Sequence, residues 1–288
     1  MGAESSPRAA FELASNDTRM AILHELAEAF RESPIDPFVA YSDLREGVGV
    51  RDKGNFNYHL DRLGDLVTEG SDGYAVSSVG LTVVSAVASG SLDPDWTWGP
   101  ADVPGECSFC GDALALRYEN GHLLLTCGVD DHALLFPVSP SLLDGHEGDA
   151  LLERVAVVLT HQAEGIRRGV CPECEGDLTP GIVPEPKPEQ DGYFFHGDCR
   201  GCGFQHGFPV GAAALSHPEV VAAYATEGID LRATPFWTLE WCRVGAETVV
   251  AEDPLRVRVD VRLPEEMLIV TLDGDADVVS VEGRKPSE

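Results

Sequence analysis

Apolar residues recur at helical spacing in several stretches of this chain and at every second position in others. Pro7 to Ala14 reads as a short first helix. Ser15-Asn16-Asp17 supplies an N-cap for a second, running from Thr18 to about Arg31, with Ile22, Leu23, Leu26 and Phe30 on one side. Ser33-Pro34-Ile35-Asp36-Pro37 ends it. A short helix from Ser42 to Glu46 leads across Gly47-Val48-Gly49-Val50 into the stretch Arg51 to Val67. There Phe56, Leu60, Leu63 and Val67 form one apolar face. A hairpin from Val67 to Ser77, turning at Asp72-Gly73, follows. Val79 to Ser89 is a further helix, whose Val83, Val84 and Val87 either complete this core or pack on a partner. Gly90 to Asp95 reads as a linker.

Beyond the linker, Ala115–Tyr118 and Leu123–Thr126 alternate as a strand pair joined at Asn120-Gly121. Asp149 to Arg168 is a helix with Leu151, Leu152, Val155, Val158 and Leu159 on its apolar face. Pro184 to Asp191 reads as a polar hairpin tip. A helix is expected from Ala212 to Gly228. Strands are expected at Phe236–Val244, Thr248–Glu252, Leu255–Leu263, Glu266–Asp273 and Asp277–Glu282. The run Arg256-Val257-Arg258-Val259-Asp260-Val261-Arg262 alternates charge with valine, as a half-buried strand does.

The outward positions of the helix in the Arg51 to Val67 stretch carry groups that can read base edges. Asn55 and Asn57 offer amide forks, Arg62 a guanidinium, His59 an imidazole and Tyr58 a phenol, with Arg51 and Lys53 nearby. An amphipathic helix with a polar outer face is also the ordinary form of a surface helix. The order helix, turn, helix, hairpin favours the first reading, because it is the order of a winged helix-turn-helix. Gly54-Asn55-Phe56-Asn57-Tyr58-His59-Leu60-Asp61-Arg62-Leu63 resembles the recognition helix of ArsR-like winged-helix regulators, where a Ser-x-His-Leu-x-x-Leu pattern is typical and Asn57 stands at the serine. Phe11 to Leu23, with Asn16-Asp17-Thr18-Arg19 and Ile22-Leu23, resembles the opening of the same family. The likeness covers about residues 7–90, and with the cysteine clusters that follow it resembles a group of haloarchaeal regulators. It implies sequence-specific binding of double-stranded DNA as a homodimer.

There are eight cysteines. Cys171-Pro-Glu-Cys174 and Cys199-Arg-Gly-Cys202 are two Cys-x-x-Cys pairs separated by 24 residues, spacing that lets four thiolates close a tetrahedron around Zn²⁺. Gly201 and Gly203 free backbone amides to turn toward the sulfurs. A thioredoxin-like redox pair would need one such motif in a βαβ setting, which is missing. Cys107-Ser-Phe-Cys110 is a third pair, followed by Gly111, with sixteen residues between Cys110 and Cys127. The fourth ligand of this set is expected to be His132, then Asp130, with His122 third, since imidazole competes better than carboxylate beside three thiolates. The alternative is a ribbon that folds without metal. Cys242, among Trp237 and Trp241, reads as core.

Charge complicates the nucleic-acid reading. The formal net charge is −29, whereas a DNA binder is ordinarily basic. Residues 45–62 hold four cations against three carboxylates, so the excess of anions lies elsewhere. Lysine is confined to Lys53, Lys187 and Lys285, a bias resembling that of proteins from a high-salt cytoplasm. The wing tip Gly70-Ser71-Asp72-Gly73 has no cation. No long apolar window or basic leader is present, so a cytoplasmic protein is expected. No phosphate-binding glycine loop, nucleophile elbow or His-Glu-x-x-His pattern appears, so no enzyme is expected. The expected architecture is α + β. It comprises a winged helix-turn-helix over residues 1–92, a zinc-ribbon-like module over 93–146 and a linking helix over 147–168. A second ribbon covers 169–211 and an α + β module 212–288. Function divides between a DNA-binding transcriptional regulator and an adaptor whose ribbons and winged helix bind protein.

Overall fold

In the computed structural model, which describes residues 15–129, 132–184 and 192–284, the chain is an α + β protein. The helix expected at Pro7 to Ala14 and the tip 185–191 lie outside the described residues. The chain divides after Asp93 into two compact units. No helix among the described residues is long and apolar enough to cross a membrane.

The first unit contains α1 (Asp17–Glu32), α2 (Tyr41–Gly47) and α3 (Lys53–Leu63), then the hairpin β1 (Val67–Gly70) and β2 (Gly73–Val76), then α4 (Ser78–Ala88). Three of these helices start on a side-chain cap that accepts an otherwise orphaned amide. Asn16 takes the Arg19 amide at 3.3 Å, Asp52 the Asn55 amide at 2.6 Å and Ser77 the Gly80 amide at 3.1 Å. Each such cap contributes about 1 kcal/mol. Ile22, Leu23 and Leu26 of α1 pack with Leu44, Phe56, Leu60 and Leu63 in one core. Phe30 stands at its margin.

Val67 departs from the sequence expectation. At Gly64 the chain turns to φ +48°, ending α3 one turn early. After the short turn Gly64–Leu66, Leu66 takes the buried place and Val67 opens β1 opposite Val76. Val83 and Val84 belong to this core, while Val79 and Val87 remain exposed. Val39 extends the hairpin by pairing with Tyr74. That approach requires a glycine at 73, where φ is +136° and a Cβ would lie 2.0 Å from the Val39 carbonyl oxygen.

Among its described residues the second unit has three antiparallel sheets. The first is a meander of β3 (Trp98–Glu106), β4 (Ala113–Glu119), β5 (His122–Thr126) and β6 (Leu134–Pro137). Its central hairpin turns at Asn120-Gly121, both left-handed at φ 52° and 79°, the pairing a tight two-residue turn demands. The long helix α5 (Gly148–Arg167) buries Leu151, Val155, Leu159, Ala163 and Ile166 at three- and four-residue spacing. It leads to the second sheet, β7 (Leu178–Pro184), β8 (Tyr193–Cys199) and β9 (Gln205–Pro209). The third consists of β10 (Thr248–Glu252), β11 (Leu255–Arg262), β12 (Met267–Asp273) and β13 (Val278–Arg284). On β11 the valines at 257, 259 and 261 are fully buried and the charged residues face outward. All three sheets and α5 contribute to one continuous core.

Two tail expectations fail. The helix expected from Ala212 to Gly228 is broken. Val210–Ala214 is a 3-10 turn, and α6 begins at Pro218 and runs to Thr226, because proline fits the first helical turn but not an interior. The strand expected at Phe236–Val244 is instead two 3-10 turns, Phe236–Thr238 and Glu240–Cys242. Its polar groups are drawn to distant partners. The Trp237 indole donates to the Pro104 carbonyl at 3.1 Å, and Arg243 donates to the Cys107 carbonyl at 3.3 Å.

Candidate functional site

Seven of the eight cysteines gather with one histidine into two groups, Cys107, Cys110, Cys127 and His132, and Cys171, Cys174, Cys199 and Cys202. Within each group the ligand atoms all lie within 4.8 Å of one another, so each can hold a metal ion.

Three backbone turns of one design present the paired cysteines. In the first, between β3 and β4, the Cys107 amide donates to the Asp112 carbonyl at 2.8 Å and the Gly111 amide returns to the Cys107 carbonyl at 2.9 Å. Cys171 does the same with Gly176 and Glu175, and Cys199 with Phe204 and Gly203. The fourth residue after each leading cysteine is left-handed: Gly111 at φ 78°, Glu175 at 59° and Gly203 at 75°. Only Glu175 carries a side chain there, at a cost of about 1–2 kcal/mol. Glu175→Gly is therefore expected to stabilise the second unit by about 0.5–1 kcal/mol after the added freedom of the unfolded chain is offset, raising Tm by about 2–4 °C. Thermal melts of the two chains check it.

Distances test whether the donors fit a tetrahedral ion. With metal–sulfur bonds near 2.3 Å and metal–nitrogen bonds near 2.05 Å, tetrahedral edges are about 3.8 Å for sulfur to sulfur and about 3.6 Å for sulfur to nitrogen. Cys171 and Cys202 sulfurs are 3.8 Å apart, Cys174 and Cys199 3.5 Å, and Cys110 and Cys127 3.5 Å. The His132 Nδ1 lies 3.5 Å from the Cys127 sulfur and 3.8 Å from that of Cys107. Both groups fit. His132 is thus the histidine the first group brings in. His122, the third choice, is turned away with Nδ1 3.0 Å from the Asn120 carbonyl oxygen. Asp130 lies outside the described residues.

The second group shows how the backbone prepares a thiolate. Gly201 and Cys202 amides point at the Cys199 sulfur at 3.3 and 3.5 Å, whereas the Gly203 amide goes to the Cys199 carbonyl. The Cys202 amide first, then the Gly201 amide and the neighbouring sulfurs, bring the Cys199 thiol down to about 6 against the opposing effect of burial. At Cys202 the Phe204 amide pulls downward, but burial and the three other sulfurs outweigh it and hold the thiol at about 12. One thiolate beside reluctant thiols is the arrangement a divalent cation completes. An ion held by all four donors of either group would have no open position for water.

Sequence reasoning missed the support of the first group. Besides Arg243 on the Cys107 carbonyl, the Val244 amide donates to Ser108 Oγ at 3.3 Å. No local pattern announces contacts across 136 residues. Cys242 is fully buried, and burial holds its thiol well above the ordinary range, so it stays a neutral core side chain.

In the first unit, α3 turns Phe56, Leu60 and Leu63 inward and leaves Lys53, Asn55, Asn57, Tyr58 and Arg62 exposed, with Arg51 just before the helix. His59 is half-buried. The Arg62 guanidinium lies 5.5 Å from the Tyr58 ring centroid, and the Asn57 side-chain Oδ1 accepts the Tyr41 hydroxyl at 2.5 Å. Arg45 of α2 donates to the Arg51 carbonyl at 2.9 Å and so fixes the entry to α3. At the hairpin tip the Ser71 hydroxyl donates to Asp72, and no cation is present.

Residues 7–87 match a family described as Domain of unknown function (DUF7347), and residues 104–278 match one described as Domain of unknown function (DUF7351). No curated protein and no solved structure matches the chain. The second match covers more than half of the chain and contains both cysteine groups and the second sheet entire: this protein belongs to the DUF7351 family.

Proposed function

We propose that this protein is a DNA-binding transcriptional regulator of the ArsR-like winged-helix type, whose second unit is stiffened by two structural zinc ions in zinc-ribbon-like turns. One observation carries the DNA reading. A helix–turn–helix–hairpin order presents α3 with its amide and guanidinium side chains in solvent rather than in the core. Zinc is favoured over harder cations because the donors are seven sulfurs and one imidazole. Such a protein acts in the cytoplasm, where thiols stay reduced. It would bind as a homodimer. With Val83 and Val84 in the monomer core, the exposed Val79 and Val87 of α4 remain for the partner.

The net charge of −29 and the cation-free hairpin tip favour a second reading, an adaptor that binds another protein through the same surface. One experiment separates the two. Binding of the zinc-loaded protein to duplexes from its own promoter region is measured for Arg62→Ala and for Asn57→Ala. Each is expected to weaken binding by about 1–3 kcal/mol, about fivefold to about 150-fold, with Tm unchanged to within about 2 °C. Arg62→Ala is the cleaner arm, since Asn57 also holds Tyr41. Equal DNA affinity in both variants and the parent selects the adaptor.

A further inference from the structure

The third sheet of the second unit is staggered. β10 starts at Thr248 opposite Arg258, so β11 runs on past it with Asp260 and Arg262 on the outward face. Beside this overhang lies a cleft of about 460 Å³, closed on its other side by the Glu240–Cys242 turn. Its floor is Tyr224, Leu239 and Trp241, each less than a tenth exposed. The Trp241 indole N–H is already satisfied by the Tyr224 hydroxyl at 2.8 Å, so these rings offer the cleft mainly carbon surface.

The walls differ in charge. Asp260 is held by Arg258, 2.9 Å away, and is neutralised by it. Arg262 and Glu240 both line the cleft and are exposed, and neither side chain has an ion pair or hydrogen bond to any described residue. They are also not paired with each other. One unmet cation and one unmet carboxylate thus face a shared cleft across an apolar floor. A dianion would leave Glu240 opposed by like charge, and a dication would do the same to Arg262. A ligand with a carboxylate, an ammonium and a short hydrocarbon side chain satisfies all three surfaces.

We propose that this cleft binds a free α-amino acid with an apolar side chain, its carboxylate on Arg262, its ammonium on Glu240 and its side chain on Leu239 and Trp241. The cleft lies wholly within the second unit, so the proposal stands whether or not the first unit reads DNA. In a regulator the amino acid would be the effector.

Calorimetric titration of the full zinc-loaded chain tests it with three probes. They are L-leucine, isopentylamine, which lacks the carboxylate, and 4-methylpentanoate, which lacks the ammonium. Leucine is expected to bind saturably, and each analogue at least about tenfold more weakly. Arg262→Gln is expected to weaken leucine binding by a similar factor. Arg284→Gln, on the far edge strand of the same sheet, is expected to leave it unchanged. Absence of leucine binding up to about 10 mM, an amine that binds as well as leucine, or an Arg262→Gln chain with undiminished affinity would each overturn the proposal.

Discussion

Replacing Cys199 by serine is expected to reduce the zinc content from two ions per chain to one and to abolish cooperative melting of the second unit. Cys199 ends β8, its sulfur accepts two backbone amides, and it is buried in the common core with Cys171. A serine hydroxyl at the same place neither ionises near neutral pH nor competes as a soft donor. Binding of a structural zinc contributes on the order of 10–16 kcal/mol, as much as or more than the whole stability of a typical domain, about 5–15 kcal/mol. Three sheets share the core that this centre borders, so the loss propagates through the unit. The first unit has a separate core, built from Ile22, Leu26, Phe56 and their neighbours, and its helical signal is expected to persist. Elemental analysis and far-ultraviolet circular dichroism melts read both outcomes. Two zinc ions retained in the variant, or an unchanged melt, would remove the metal from its proposed structural role.

The elements legible in the sequence were those whose causes are local. Asn16, Asp52 and Ser77 cap helices with their own side chains, and Asn120-Gly121 fixes a hairpin by its own backbone preference. The paired cysteines are also local, since each turn closes its hydrogen bonds within six residues. What sequence reasoning misread was decided at a distance or by a single backbone angle. The aromatic run from Phe236 alternates well enough for a strand. It is pulled into turns because Trp237 bonds to Pro104 of β3, and Arg243 and Val244 to the first cysteine turn, more than 130 positions earlier. Gly64 shifts the inward position from Val67 to Leu66. Pro218 starts a helix where apolar spacing alone continues one. The cleft beneath Arg262 arises from a register offset between β10 and β11, which no residue pattern encodes.

Lowering the pH from about 6.5 to about 4 is expected to destabilise the parent chain by about 3 kcal/mol more than a His206→Phe variant. His206 was not singled out in the sequence, although it shares the inward face of β9 with Phe208 two residues on. It stands opposite Gly197 of β8, its ring 4.5 Å from that of Phe204. Its two ring nitrogens are buried without a hydrogen-bond partner among the described residues. Burial therefore drives its pKa from the ordinary 6.5 down to about 4. Above about 6.5 the ring is neutral in both folded and unfolded chains, and pH has no leverage through it. Between about 6.5 and about 4 the unfolded chain takes up a proton that the folded chain refuses, so stability falls by about 1.4 kcal/mol per pH unit. Below about 4 both states are protonated and the loss from this group levels off. Phenylalanine keeps the ring contact with Phe204 and removes two unsatisfied nitrogens, so the variant is expected to be at least as stable as the parent at pH 7.5. Protonation of the cysteine and histidine ligands also weakens metal binding in acid, but it acts on both chains alike and cancels in their difference. Urea denaturation at pH 7.5, 5.5 and 4 measures the gap. A gap that does not widen toward acid would mean that His206 is reached by water or by a partner group in the folded chain.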